Sequence, residues 1–496
     1  MKKLFLILAI SSLALIPATL LAFPTVYPTG TTIYKPEKCW NGYTVLQNAG
    51  IKWTEGREGG TVLIDMNGNV LSEWPNIHFF PAKILPGGHI MGYMGSDGPG
   101  HESSKKLVQM DWNGNVVWQF EMAGQEHDFQ REGNPVGYYA PGMEPKVDRG
   151  NTLTLVYRKN IKKPQISPQP LTDTAFLEVT WDGRVVWEWL QSDHFEEMEF
   201  SEEARNAMSR SPSGGDWAHI NNMNVLGPNT WYDMGDQRFH PDNIIYDARV
   251  LNIIAIIDKK TGKLVWKVGP DYTATPALRK LGQIIGPHQA HMIPRGLPGE
   301  GNILVFDNGG FAGYGNPNPG SPTGMYNALR DYSRVIEFDP VTMEIVWEYS
   351  MRAAGHLPRI EGHKFYSPYM SGAQRLPNGN TLITEAASGR VFEVTPEREI
   401  VWEFVSPFFY PGNQGIGGDP TRQYPPINHL YRAYRVPYGW VPQVKKPKET
   451  SVIPPPNSEL RVPQSAPATS VKPAETQRPA RKEEREEEQY PQPLRY

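Results

Sequence analysis

Four histidines stand at related places in a repeated phrase. His78 lies seven residues before Leu85, His219 seven before Leu226, and His291 six before Leu297, with His288 three residues further upstream. Each precedes a strand end and a Pro/Gly/Asn turn, so the repeat would carry imidazoles from distant parts of the chain to one place. A neutral imidazole serves as nucleophile or general base near neutral pH, and a protonated one stabilises a transferring anionic group. Converging imidazoles therefore suit transfer of a sulfuryl or phosphoryl group. Three histidines also invite zinc. HExxH is absent, and Asp216 apart, no carboxylate stands near the histidines, so no metal site is assigned. His127-Asp128, His194, His240, His356 and His363 lie in loop-like sequence outside the repeat and read as structural or solvent-facing.

The elements that must position these histidines are legible as two alternating hairpin phrases. The first reads LIDMNGNVLSEW (63–74), QMDWNGNVVWQF (109–120), EVTWDGRVVWEW (178–189), IDKKTGKLVWKV (257–268), EFDPVTMEIVWEY (337–349) and EVTPEREIVWEF (393–404). Each has an apolar strand, a tight turn and a β-branched strand closing on Trp74, Trp118, Trp187, Trp266, Trp347 or Trp402. The second phrase appears as ILPGGHIMGY (84–93), KVDRGNTLTLVY (146–157), VLGPNTWYDM (225–234), GLPGEGNILVFDNG (296–309) and RLPNGNTLITEA (375–386). GYTVLQ (42–47) supplies the missing partner of the first copy. A lone hairpin cannot bury its apolar face, so the pairs must stack. Four strands per unit and six units predict an all-β, six-bladed β-propeller. Successive tryptophans are 44, 69, 79, 81 and 55 residues apart, so long loops leave the blades. The innermost strands would line a central channel and bring His78, His219, His288 and His291 together.

Composition narrows the function. The chain has 496 residues, a formal charge of −4 and a pI near 6.3, with no basic stripe for a nucleic acid. Lys2 and Lys3 precede the apolar run LFLILAISSLALIPATLLA, which predicts an export signal over 1–22 and a periplasmic or secreted protein. An uncleaved run would instead anchor the chain in a membrane. The propeller is expected over 23–440, with one helix near 196–210, and a Pro-rich, charged, disordered tail over 441–496. Cys39 is the single cysteine, so no intramolecular disulfide is possible. There is no phosphate loop, no credible dinucleotide fingerprint and no GxSxG elbow. Asp236 with Asp242, or Glu197 with Glu199, would be the carboxylate pairs of a glycosidase, which sequence cannot place across a sugar.

GYTVL, GGTVLIDMNGNVLSEW, DWAHINNMN, GPHQAHMIPRGLPGEGNILVFDNGG, YSRVIEFDP and AQRLPNGNTLITEAASGRVFEV together resemble the bacterial arylsulfate sulfotransferases, through most of residues 30–437. The resemblance implies an exported six-bladed propeller that moves a sulfuryl group from a phenolic sulfate ester to a phenol, without a nucleotide and through a sulfohistidine. It implies catalytic roles for His219 and His291, with His288 a rival for the second place. His78, Asn221, Asp307 and Asn308 become candidate substrate contacts. Where the family has its histidine nucleophile, before LPNGN, this chain has SPYMSGAQ, which puts Tyr369 or Ser371 there. The arginine expected beyond FDNG is also absent, leaving Arg334 as the nearest candidate. Three outcomes stay open: a nucleophile among His291, His288 and His219; a phenol bound or activated by Tyr369; or a propeller that kept the fold and lost the reaction. The leading expectation is an aryl sulfotransferase without a cofactor. The alternative is a non-catalytic extracytoplasmic propeller binding an anion, a glycan or a protein partner. A quinone-dependent dehydrogenase ranks third, because no Ca²⁺ ligands or cofactor contacts are evident.

Overall fold

β-Branched runs separated by Asp/Asn/Gly turns fold into antiparallel hairpins, and the hairpins join into sheets. A computed structural model describes residues 28–52, 58–78, 80–96, 104–211, 214–409 and 427–454. The expected export signal and most of the expected tail lie outside the described residues. Leu430–Val436, Tyr43–Lys52, Glu58–Ile64 and Val70–Trp74 form one four-stranded sheet, so a C-terminal strand completes an N-terminal sheet. Ile220–Val225, Ile244–Ala248, Ile253–Ile257 and Leu264–Val268 form another. So do Pro287–Met292, Ile303–Asp307, Arg334–Phe338 and Ile345–Tyr349. Gly372–Arg375, Thr381–Glu385, Arg390–Val394 and Ile400–Val405 carry Gly30–Tyr34 as a fifth, outer strand. Ala312–Tyr314 and Met325–Ala328 form a two-stranded sheet, and an eight-stranded sheet runs from Lys83–Leu85 to Val185–Leu190. Its long strand Val116–Arg131 pairs first with Ser104–Met110 and then, from Gln125 on, with Thr152–Ile161.

The tryptophans show why the second strand of each hairpin ends as it does. Trp118 Nε1 donates to Trp181 O (2.9 Å), Trp187 to Lys259 O (3.2 Å), Trp266 to Pro340 O (2.8 Å) and Trp347 to Pro396 O (3.0 Å). Trp402 donates to Met66 O (2.7 Å), and the Trp74 ring meets Trp112 edge-on at 5.7 Å. Every acceptor lies in the hairpin turn of the next copy of the phrase. Five of the six indoles thus satisfy their N–H on the neighbouring hairpin, and Trp74 meets its neighbour through its ring.

The first strands of successive sheets pack on one another through polar side chains. Gln130 Nε2 donates to Met223 O (3.0 Å) and Asn224 Oδ1 (2.8 Å), and Asn222 Nδ2 to Ala290 O (2.8 Å). Ala373 N donates to Gln289 Oε1 (2.9 Å), and Arg432 Nη2 to Asn221 O (3.1 Å). Lys83 and Asp128, both fully buried, pair at 2.5 Å. The result is an all-β, propeller-like arrangement with a polar interior.

Two expectations need correction. The chain from 441 to 453 packs on the sheets: Val441 is buried, and Val452 exchanges backbone hydrogen bonds with Tyr34 (2.7 and 2.9 Å). Any tail therefore begins beyond 453, not at 441, because VPQV and SVI supply apolar and backbone partners that a Pro-rich composition conceals. The helix expected at 196–210 is two elements, a 3₁₀ segment Gln191–Met198 and an α-helix Glu202–Ser209. Left-handed Glu199 (φ 56°) ends the first, and the Ser201 side chain caps the second by accepting from Ala204 N.

Candidate active site

Four residues with left-handed backbone stand beside the innermost strands: His127 (φ 40°), His219 (φ 52°), Gln289 (φ 52°) and Met370 (φ 53°). Pairing slips beside the first three, between Glu126 and Phe129, Ile220 and Asn222, and His288 and His291. A non-glycine residue held there costs about 1–3 kcal/mol, and such bulges re-aim side chains at functional sites. Here they aim two imidazoles at each other. The rings of His127 and His219 meet edge to face, centroids 4.7 Å apart.

Both imidazoles are tied to carboxylates through Nδ1. His127 Nδ1 is 2.6 Å from Glu126 Oε2, and Glu126 Oε1 accepts from Thr174 Oγ1 (3.0 Å). His219 Nδ1 bonds Asp216 Oδ2, and its backbone N–H donates to Asp216 Oδ1 (3.1 Å). Tyr157 OH also donates to Asp216 Oδ2 (2.9 Å), and its ring faces His127 at 6.3 Å. Burial first, then the Asp216 and Glu126 charges, raise the Tyr157 hydroxyl far above its ordinary pKa, so it stays a donor. Phe80 and Tyr431 pack on His127 at 5.0 and 6.2 Å. A proton on Nδ1 of each histidine places the reactive lone pair on Nε2.

A cavity of about 160 Å³ opens beside His219, lined also by Asp216, Trp217, Arg249, Tyr314, Met325 and Tyr326. Arg249 follows the strand Ile244–Ala248, and its backbone N–H donates to His219 O (2.9 Å). Its buried Nε has no hydrogen-bond partner. Its charge reaches both His288 and Tyr314. Among the described residues no ion pair holds Arg249, so its guanidinium can meet an anion at the wall it shares with His219 and Asp216.

The other expected site residues fall elsewhere. His291 is fully buried; its Nδ1 bonds Gln289 O (2.8 Å) and its Nε2 accepts from Tyr138 OH (2.7 Å). Burial lowers its pKa to about 4. His288 bonds Gly286 O (3.1 Å) and Asn308 Oδ1 (2.8 Å) through Nδ1, and its Nε2 accepts from Met370 N (3.2 Å). Burial, then the Arg249 and Arg432 charges, push its pKa well down. Ser371 Oγ donates to the same Asn308 Oδ1 (3.1 Å). Asp307 sits between Arg330 (2.7 Å) and Arg334 (2.6 Å). Burial would raise that carboxyl, but the two guanidiniums hold it below its ordinary range. Arg334 is thereby committed to Asp307, so it does not replace the arginine absent beyond FDNG. Tyr369 OH lies 3.5 Å from His429 Nδ1, and Asn221 Nδ2 reaches Pro287 O (3.4 Å). His78 N–H donates to Tyr93 O (2.9 Å), and from that segment it is Phe80 whose ring meets His127.

His127, placed outside the repeat by sequence, is a buried partner of His219, which corrects the reading of it as a loop residue. The stretch between Arg131 and Thr152 lengthens the connection after its strand and hides the spacing that marks His219. Arg249 carries no sequence signal beyond its position just after an apolar run. Among the described residues, no group of three or more His, Cys, Asp or Glu is placed to hold a metal ion, and no helix is long and apolar enough to cross a membrane.

The arylsulfotransferase (ASST) family model matches residues 34–403, and the chain belongs to that family. Membership carries aryl sulfotransferase chemistry in general, with a phenolic sulfate donor and a phenol acceptor. No curated protein matches the sequence. Among solved structures, a protein of unknown function from Bacteroides caccae is similar at 12% identity and a TM-score of 0.43, covering 80% of this chain and 99% of that one. A streptogramin B lyase is similar at 12% identity and a TM-score of 0.33, covering 73% and 87%. Saccharomyces cerevisiae Sqt1 is similar at 9% and 0.34, covering 78% and 83%.

Proposed function

We propose that the chain is an exported, nucleotide-independent aryl sulfotransferase, built as a six-bladed propeller, with His219 as its nucleophile. The observation that carries this reading is His219 itself, on the cavity wall with its Nδ1 bound to Asp216. Six blades follow if the eight-stranded sheet is divided at Gln125, where pairing switches, and the Trp402 bond to Met66 then closes the ring. Export rests on Lys2, Lys3 and the apolar run behind them.

In the first half-reaction His219 Nε2 attacks the donor sulfur; the N–S bond forms as the bond from sulfur to the aryl oxygen breaks. Protonated His127, within ring contact, gives its proton to the departing phenolate. Asp216 holds the Nδ1 proton and stabilises the positive charge developing on the ring. In the second half the acceptor phenol oxygen attacks sulfur, the N–S bond breaks, and neutral His127 takes the phenol proton. One sulfuryl group and one proton have then exchanged between two phenols, so the cycle balances.

The test is transfer from a chromogenic aryl sulfate to a phenol by wild type and His219→Asn. Loss of transfer in a variant that melts like wild type supports the reading; undiminished transfer sinks it. A second reading, ligand binding without turnover, is favoured by Ser371, buried against Asn308 in the segment where the family carries its nucleophile. A folded wild type that is inert to several donors, yet thermally stabilised by them, would establish it.

A further inference from the structure

We propose that Tyr157 is a positioning residue that couples the two histidine–carboxylate pairs: its hydroxyl donates to whichever carboxylate does not face a charged ring, and so keeps His219 uncharged until it attacks. The inference rests on the sulfotransferase reading of the same histidines.

Four neighbouring strands bring the parts together. In the strand pairing Glu126 stands opposite Leu155, Tyr157 opposite Thr174, and Asp216 opposite Thr172. Tyr157 OH donates to Asp216 Oδ2 (2.9 Å), the oxygen that holds His219 Nδ1, and the same hydroxyl lies within hydrogen-bond reach of the Glu126 carboxylate. Glu126 holds His127 Nδ1 with one oxygen and the Thr174 hydroxyl with the other. Two imidazoles in ring contact are thus backed by two carboxylates, and one phenolic proton lies between the carboxylates. Other titratable groups stand against these rings. Arg249, Tyr314 and Tyr326 are on the cavity wall beside His219, Tyr431 packs on His127, and Tyr93 donates to Glu126 O. Burial raises Tyr93, Tyr314 and Tyr431 above the ordinary tyrosine range, so they keep one charge state while the histidines titrate.

Charge then decides where the hydroxyl points. Two positive rings with centroids 4.7 Å apart repel, so the pair holds one proton more readily than two. A hydroxyl donated to Asp216 takes up part of its charge and makes His219 Nε2 less basic. Before transfer the cation is His127, facing Glu126, while Asp216 faces a neutral ring. The hydroxyl then belongs on Asp216, which is where it lies. After the first half-reaction His127 is neutral and the sulfated His219 ring carries the positive charge. Asp216 answers that charge, and the hydroxyl turns to Glu126. The O–H bond of Tyr157 stays intact throughout, and only its acceptor changes.

Titration of isotope-labelled histidine by NMR, with signals assigned through His219→Asn and His127→Phe, tests this without turnover. Tyr157→Phe should raise the protonation midpoint of His219 by about one pH unit and move His127 by less, because the resting hydroxyl sits on Asp216. Tyr157→3-fluorotyrosine, a stronger donor of nearly the same size, should lower the His219 midpoint, and it serves if Tyr157→Phe does not fold. Thr174→Val, which takes a hydroxyl from Glu126, should move His127 instead. In turnover, Tyr157→Phe should lower kcat about tenfold with KM little changed, and the acid limb of its pH–rate profile should shift to higher pH with the His219 midpoint. An unmoved His219 in folded Tyr157→Phe, shifts of the same sign in both Tyr157 variants, or equal shifts of the two rings would each overturn the proposal. Wild type that transfers sulfuryl groups while the variants leave the midpoints unmoved would keep the function and remove the coupling. Midpoints that move as expected in a protein that never transfers would do the reverse.

Discussion

The histidines fall into two groups, and what their ring nitrogens touch separates them. His219 and His127 each turn Nδ1 to a carboxylate, and His219 faces a cavity. His288 and His291 each turn Nδ1 to a neutral oxygen, and the Nε2 of each, buried, accepts a protein hydrogen bond. In the second group the one ring lone pair of the neutral imidazole meets Met370 N–H in His288 and Tyr138 OH in His291. The carboxylates of the first group keep the proton on Nδ1 and raise the basicity of Nε2, as a triad aspartate does. Recurrence at matched repeat positions brings histidines towards the middle of the fold. The partner of Nδ1 and access to a cavity decide which of them can attack.

The sharpest way to break the comparison is to exchange members of the two groups. His219→Asn should lower kcat by about 10⁴-fold or more, since it removes the nitrogen that forms the covalent intermediate. Asp216→Asn should cost about 10³-fold in kcat with little change in KM, because the amide can hold the ring in the wrong tautomer. His127→Phe keeps the ring contact and removes the proton shuttle. It should cost about 10²-fold, and less with donors whose phenols leave as stable anions. His291→Phe, in contrast, should leave kcat within about threefold while lowering stability by about 1–3 kcal/mol, since the Tyr138 hydroxyl and Gln289 carbonyl lose their partner. Stopped transfer in His291→Phe with full transfer in His219→Asn would invert the assignment.

Acid sensitivity gives the smallest and most specific effect. His291 has a folded pKa of about 4 against about 6.5 when unfolded, so between those values the unfolded chain binds more protons. Stability should therefore be full above about pH 6.5 and fall towards pH 4, by about 3 kcal/mol at most from this residue. Urea midpoints at pH 7 and 4.5 should drop less in His291→Phe than in wild type. An equal drop would mean that His291 does not carry the penalty.

Much of the architecture could be read from the chain because each hairpin carries its own turn chemistry and its own closing tryptophan. The indole N–H bonds to the next turn then make local pattern and global packing agree. The site was half legible. His219 announced itself through DWAHINN and its repeat spacing, and Asp216 stood three residues away. His127 did not, because residues 132–151 separate its strand from the next one and erase the spacing. Arg249 was invisible because it sits in the turn between Ile244–Ala248 and Ile253–Ile257, outside both repeated phrases. Asp307 and Arg334 looked like substrate contacts because nothing in the sequence shows that they neutralise each other. The interval of three residues between His288 and His291 was equally misleading, since the slipped pairing between them gives each ring its own neutral partners.

The most direct test of the central claim is to incubate wild-type protein with an aryl sulfate and no acceptor, quench at alkaline pH, and map any added sulfuryl group by peptide mass. One adduct is expected, on His219, and it should disappear when a phenol is added. An adduct on His288 or His291 would contradict it.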